Sequence, residues 1–148
     1  MKTDLKEVGV AAIGVDRFSG DQQVFLRSDT DGSGLAVDLT PGQASALLLR
    51  LEQEATPEES PYATIAALLH DNGLTPLRVL ISPHEKSASL LYHDGVEDRG
   101  LTMSCGEGTV LAAYLDLPLL VCSQALYDVE PELISRRRRM DVLYFSTV

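Results

Sequence analysis

The chain has 148 residues, 45% hydrophobic and 23% charged, enough for one domain with its own core. That apolar share excludes disorder, and only 11 Gly and 7 Pro exclude collagen or linker character. Acidic residues outnumber basic ones 22 to 12, and the formal charge of −10 argues against a protein that coats DNA or RNA.

The N-terminal stretch Met1 to Glu7 and the apolar run Val8 to Val15 do not match a signal peptide. No run approaches the roughly 20 apolar residues of a membrane span. The expected compartment is the cytoplasm, with no membrane partner. Val8–Val15 is too rich in Gly and Val for a helix and reads as a strand. Gln22–Arg27 and Leu35–Leu39 follow as strands. The polar loop between them, Asp29-Thr30-Asp31-Gly32-Ser33-Gly34, predicts a hairpin. The same loop imitates the start of a calcium loop, with Asp29, Asp31 and Ser33 at ligand positions and Gly32 at the turn. Thr40 stands where the closing Glu belongs, and a strand precedes the loop where a helix should, so the hairpin reading is preferred.

Thr40-Pro41-Gly42-Gln43 opens a helix. Thr40 caps, Pro41 suits the first position, and Gln43 completes a capping box. Ala44, Leu47, Leu48 and Leu51 share one face. After a polar loop, Glu54 to Ser60, Pro61 opens a second helix through Ile65, Leu68 and Leu69, which Asn72-Gly73 ends. Pro76–Ser82 and the alternating Ser87–His93 are strands; Asp94-Gly95 is a hairpin turn, and Val96–Met103 returns. Ser104-Cys105-Gly106-Glu107 caps a helix through Val110, Leu111, Tyr114 and Leu115. Leu117–Val121 is a short strand. The tail holds Arg136 to Arg139, the only basic cluster, and a last apolar stretch, Val142 to Phe145.

The order strand–strand–strand–helix occurs twice, the helix caps lying 64 positions apart. Thr40-Pro41-Gly42-Gln43 aligns with Ser104-Cys105-Gly106-Glu107, and Leu47 with Leu111. The expectation is an α+β fold made by internal duplication of two β-β-β-α units with a largely antiparallel sheet.

Few constellations carry chemistry. Cys105 and Cys122 form no C-x-x-C pair and read as reduced thiols. His70, His84 and His93 show no spacing that would bring them together. Glu107 is the carboxylate of most interest. Its structural reading is the capping box with Ser104; its functional reading is a group at a helix N-terminus that holds a divalent ion or orients a water. Arg136–Arg139 is either an arm for phosphate or a solvated segment that pairs with the acidic body, and the surrounding charge favours the second.

The segment Leu39 to Leu47 resembles one in the bifunctional nuclease domain family that runs approximately Ile-Gly-x-x-Glu-Ala-x-Ala-Ile. Ser104 to Ala112 resembles that family's Arg-Pro-Ser-Asp-Ala-Ile-Ala-Leu-Ala, and Pro118–Val121 with Leu126 its closing strand and helix. The resemblance spans roughly residues 6 to 127, leaving 128–148 as a tail. It implies an α+β fold with internal duplication, dimerisation, and cutting of DNA and RNA by some members. Gln43 stands for the family's Glu, Ser104 for its Arg and Glu107 for its Asp. Its Thr-His-Asp has no match in Ser60–Ile65. Were the chain a nuclease, the resemblance would make Glu107 metal ligand or base, with Ser104 beside it, His93 and Asp94 as a more distant pair, and Mg²⁺ or Mn²⁺ as the ion. The alternative is a non-catalytic dimeric partner-binding or scaffold domain that kept the fold.

Overall fold

The computed structural model describes residues 4–16, 18–52 and 61–128. The strands are β1 (Leu5–Val15), β2 (Gln22–Ser28), β3 (Ser33–Leu39), β4 (Thr75–Ser82), β5 (Ser87–His93), β6 (Asp98–Ser104), β7 (Leu119–Cys122) and β8 (Tyr127–Asp128); the helices are α1 (Pro41–Glu52), α2 (Pro61–Asp71) and α3 (Cys105–Leu115). The class is α+β. The eight strands among the described residues form one sheet in the order β6-β5-β4-β7-β1-β2-β3-β8, and every pairing is antiparallel except β4 with β7.

Two antiparallel triplets, β1-β2-β3 and β4-β5-β6, are therefore held together by β7. Each triplet leads into a helix that caps it, α1 or α3. The helix α3 touches β3, β4, β5 and β6, strands from both ends of the sheet order. The sheet must curl around that helix to bring them all within reach. One core results, with Val24, Leu26, Leu47, Val79, Ile81, Leu90, Val110 and Val121 almost wholly out of water.

The strand β1 is longer than Val8–Val15 and sits inside the sheet between β7 and β2. Its register slips between Val10 and Ala12, a bulge that bends the strand where the sheet curls. The hairpin after β2 forms as expected: Gly32 takes a φ of 75° and its N–H donates to the Ser28 carbonyl at 3.1 Å. Asp31, read as a calcium ligand in the discarded alternative, accepts from the Ser33 backbone and hydroxyl and pairs with Lys6.

The turn after β5 is wider than a two-residue Asp-Gly hairpin. Asp94 N–H donates to the Glu97 carbonyl at 3.0 Å, and the Asp94 carboxylate accepts from the N–H groups of Val96 and Glu97, both at 2.8 Å. These bonds occupy backbone that a longer strand would use, so β6 starts at Asp98 and not at Val96. The helix α2 ends at Gly73, with φ 68°, as its sequence predicts. The helix α3 ends on Asp116, which adopts the left-handed conformation (φ 55°) usually given to Gly. The Arg136–Arg139 cluster, the Val142–Phe145 stretch and nearly all of the 128–148 tail lie outside the described residues.

Candidate functional site

The side chains of most chemical interest gather where α1 and α3 lie side by side. Thr40 Oγ1 accepts from the Gln43 N–H at 3.1 Å, and Gln43 Oε1 accepts from the Thr40 N–H at 3.0 Å, a complete capping box. Ser104 Oγ accepts from the Glu107 N–H at 3.1 Å. The return arm of the second box differs. Glu107 turns across to α1, and its Oε2 accepts from Gln43 Nε2 at 2.8 Å. The Glu107 carboxylate also takes the hydroxyl of Tyr62, the buried residue of α2. Burial first, and then the neighbouring carboxylate, push the Tyr62 phenol far above its ordinary titration range, so it stays a proton donor.

The Tyr62 ring stacks on Tyr114 with centroids 5.0 Å apart. Arg50 lies over the Tyr114 ring at 5.8 Å and donates to the Ala113 carbonyl at 3.2 Å; Tyr114 donates to the Ala46 carbonyl at 3.3 Å. Gln43 meets Glu107 near the start of the helix pair and Arg50 meets Tyr114 near its end, so α1 and α3 run in the same direction. Both contacts join positions 64 apart, the spacing between the Thr40 and Ser104 helix caps.

Gly106 is what lets the two helix starts approach. A Cβ there would lie 2.5 Å from Gln43 Oε1 and 2.8 Å from the Asp38 carbonyl. The aligned Gly42 faces open space, with only Thr40 Oγ1 at 4.0 Å. Gly106→Ala should therefore lower stability by about 1–3 kcal/mol through overpacking. Gly42→Ala should be neutral or slightly stabilising, since it only removes freedom from the unfolded chain. Paired urea titrations check the contrast.

Beside this cluster runs a groove of about 590 Å³, bordered by Asp38, Thr40, Gln43, Lys86, Ser104 and Cys105 among others. Asp38 accepts from Gln23 Nε2 at 2.9 Å. The Cys105 thiol donates to the Ser87 carbonyl at 3.4 Å, and burial raises its pKa, which favours the unreactive thiol over the thiolate. Both cysteines are free.

Of the residues singled out from sequence, Ser104 and Glu107 come together and His93 and Asp94 do not join them. Ser104 pairs with Ser87 at one end of the β5–β6 ladder, and His93 pairs with Asp98 at the other. Six residue steps separate them, about 20 Å along an antiparallel strand. His93 Nδ1 lies 2.8 Å from Asp98, and Asp94 accepts from Arg99 at 2.6 Å. The backbone N–H groups of Glu97 and Val96, then Arg99, hold the Asp94 carboxyl well below the usual carboxylate range. This pair therefore organises a hairpin and is no part of a shared site with Glu107.

Mg²⁺ and Mn²⁺ want several oxygen ligands around a carboxylate. Among the described residues no three His, Cys, Asp or Glu side chains gather to hold an ion. The carboxylate of Glu107 is already taken by Gln43 and Tyr62. The described residues around Glu107 do not fit a divalent metal centre. Sequence reasoning missed Tyr62, Tyr114 and Arg50; the signal at hand was the 64-residue alignment, which sets Gln43 opposite Glu107 and Arg50 opposite Tyr114.

No protein-family model matches the chain, and no curated protein matches it either. Among the described residues no helix is long and apolar enough to cross a membrane.

Proposed function

We propose that this chain is a non-catalytic partner-binding domain built on a bifunctional-nuclease-like fold. The observation that carries this reading is the engagement of Glu107. A catalytic carboxylate must face the reacting group or an ion within hydrogen-bond reach. Here Glu107 instead ties three helices together, accepting from Gln43 on α1 and Tyr62 on α2. Internal duplication belongs to the same reading. The contacts between aligned positions, Gln43 with Glu107 and Arg50 with Tyr114, are what two fused sister units meeting face to face would make.

The test incubates purified protein with supercoiled plasmid and with RNA, each with Mg²⁺ or Mn²⁺. The expected result is no cutting above a buffer control. Cutting that disappears in Glu107→Gln, in a protein that remains folded, would overturn the reading and restore the metal-dependent nuclease, with Glu107 as its ligand or base. The net charge of −10 disfavours a nucleic acid as the partner.

A further inference from the structure

We propose that the unclosed seam beside β3 is the docking site of the partner, and that the partner supplies an extended segment whose residues alternate between apolar and basic. The proposal rests on the partner-binding reading and names the place and the chemistry of what binds there. Along Gly34–Leu39, β3 pairs with β2, from Arg27↔Gly34 to Gln22↔Leu39. On its other side β8 reaches only Ser33 and Gly34. Among the described residues, Leu35–Leu39 therefore have a strand on one side only. The strands β3 and β6 both pack on α3 without pairing with each other, so the curled sheet stops short of closing. The groove of about 590 Å³ lies in this gap. Its border takes in all of Leu35–Leu39, the turn after β4 at Pro83 and Lys86, and Ser104–Gly106. That volume falls within the roughly 300–1,000 Å³ of ligand-binding clefts.

A strand turns its N–H and C=O groups alternately to its two sides, and a segment laid along the bare side extends the sheet. Side-chain alternation then sets what the segment must carry. Leu35, Val37 and Leu39 are buried, whereas Ala36 is half-buried and Asp38 exposed on the opposite face. An added strand follows the same alternation. Its residues level with the buried three are apolar, and those on the other face meet Asp38.

Charge decides what that second face carries. Asp38 accepts from Gln23 Nε2, and neither it nor Asp21, which also borders the groove, has a cation partner among the described residues. The border thus holds two carboxylates against one ammonium, that of Lys86. A charge on an open strand ordinarily wards off other strands. A negative one wards off acidic strands and draws basic ones, so Asp38 selects among partners and does not close the edge to all of them.

The experiment titrates the full chain with fluorescein-labelled Lys-Val-Lys-Val-Lys-Val-Lys, follows binding by anisotropy, and reads backbone amide exchange on β3. The expected result is saturable binding with slower exchange at alternate residues within Leu35–Leu39. The same peptide with Glu in place of Lys should bind about tenfold more weakly or worse. Asp38→Lys should weaken the basic peptide by about fivefold to tenfold. Asp71→Lys, the same change of charge at the exposed end of α2, should shift it by less than about twofold. Circular dichroism on both variants confirms the fold, and Asp38→Asn serves if Asp38→Lys does not fold. Absence of binding overturns the proposal, as does binding that leaves the β3 amides unchanged or that the two Lys variants weaken alike. Uniformly slow exchange across Leu35–Leu39 before any peptide is added overturns it too. Slowing that depends on protein concentration would make the occupant a second copy; slowing lost when Arg136–Arg139 are replaced by Ser would make it the chain's own C-terminal segment. Each of these outcomes leaves the non-catalytic reading in place; cutting of plasmid or RNA that depends on Glu107 removes that reading on its own.

Discussion

Leu47→Ala should lower unfolding free energy by about 2–5 kcal/mol, the cost of lost transfer energy plus the cavity left behind. Leu47 is fully buried on α1, in the core that also holds Leu111 of α3. Three features put the cost toward the upper part of that range. The helix α1 buries only two residues completely, Ala44 and Leu47, and Leu48, its other large side chain against the core, is only partly covered. The neighbouring α3 is fixed on the sheet by Gly108, whose missing Cβ leaves room for Ala88 and Val79; a Cβ there would lie 2.5 Å from Ala88. The helix pair is further held by Arg50, Tyr114, Gln43 and Glu107, which limits collapse into the cavity. Urea titration with an unchanged slope would check the value. A loss well under 1 kcal/mol would mean that α1 is not seated on the core as described.

Glu107→Ala should cost about 1–3 kcal/mol, because it leaves partly buried donors without their acceptor. Tyr62 loses the carboxylate that takes its hydroxyl, and Gln43 loses the partner of its amide. Glu107→Gln should cost less, since the amide oxygen can still accept. A double-mutant cycle with Tyr62→Phe separates the pair from the rest of the cluster. A coupling near zero would show that the carboxylate does not hold α2. Such an outcome would free Glu107 for other chemistry and weaken the case against catalysis.

Much of the architecture can be read from the chain because local and global preferences agree. The Thr40–Gln43 box, Gly73 at the end of α2 and Gly32 in the first hairpin all act through neighbours a few residues away. Pattern alone was less able to place the ends of strands. Asp94 widens its turn by binding two backbone N–H groups, and nothing in the alternation of Val96–Met103 reveals that. The sheet order was hidden as well. The parallel pairing of β4 with β7 joins residues about 40 positions apart. The candidate site was half visible. Ser104 and Glu107 are neighbours by helical spacing, but whether a carboxylate bends back to its own cap or across to Gln43 depends on which helix lies alongside. The separation of His93 and Asp94 from Ser104 is hidden for a related reason: a strand carries its two ends apart, and closeness in sequence says nothing about distance along a ladder.

The position of β7 has a bearing on synthesis. Leu5 to Val8 pair with Cys122 to Leu119, almost the full described length apart, and Val79 to Ile81 pair with Leu119 to Val121 on the other flank. While the chain emerges from a ribosome, each triplet can zip up as soon as its own hairpins are out. Their inner flanks, β1 and β4, then stand bare until the last turn of polypeptide near residue 122 arrives. Such late, distant closure slows folding and exposes sticky edges in the nascent chain. A chain arrested before β7 would thus hold two locally ordered halves with no shared sheet, joined instead by the packing of α3 on α1 and β3.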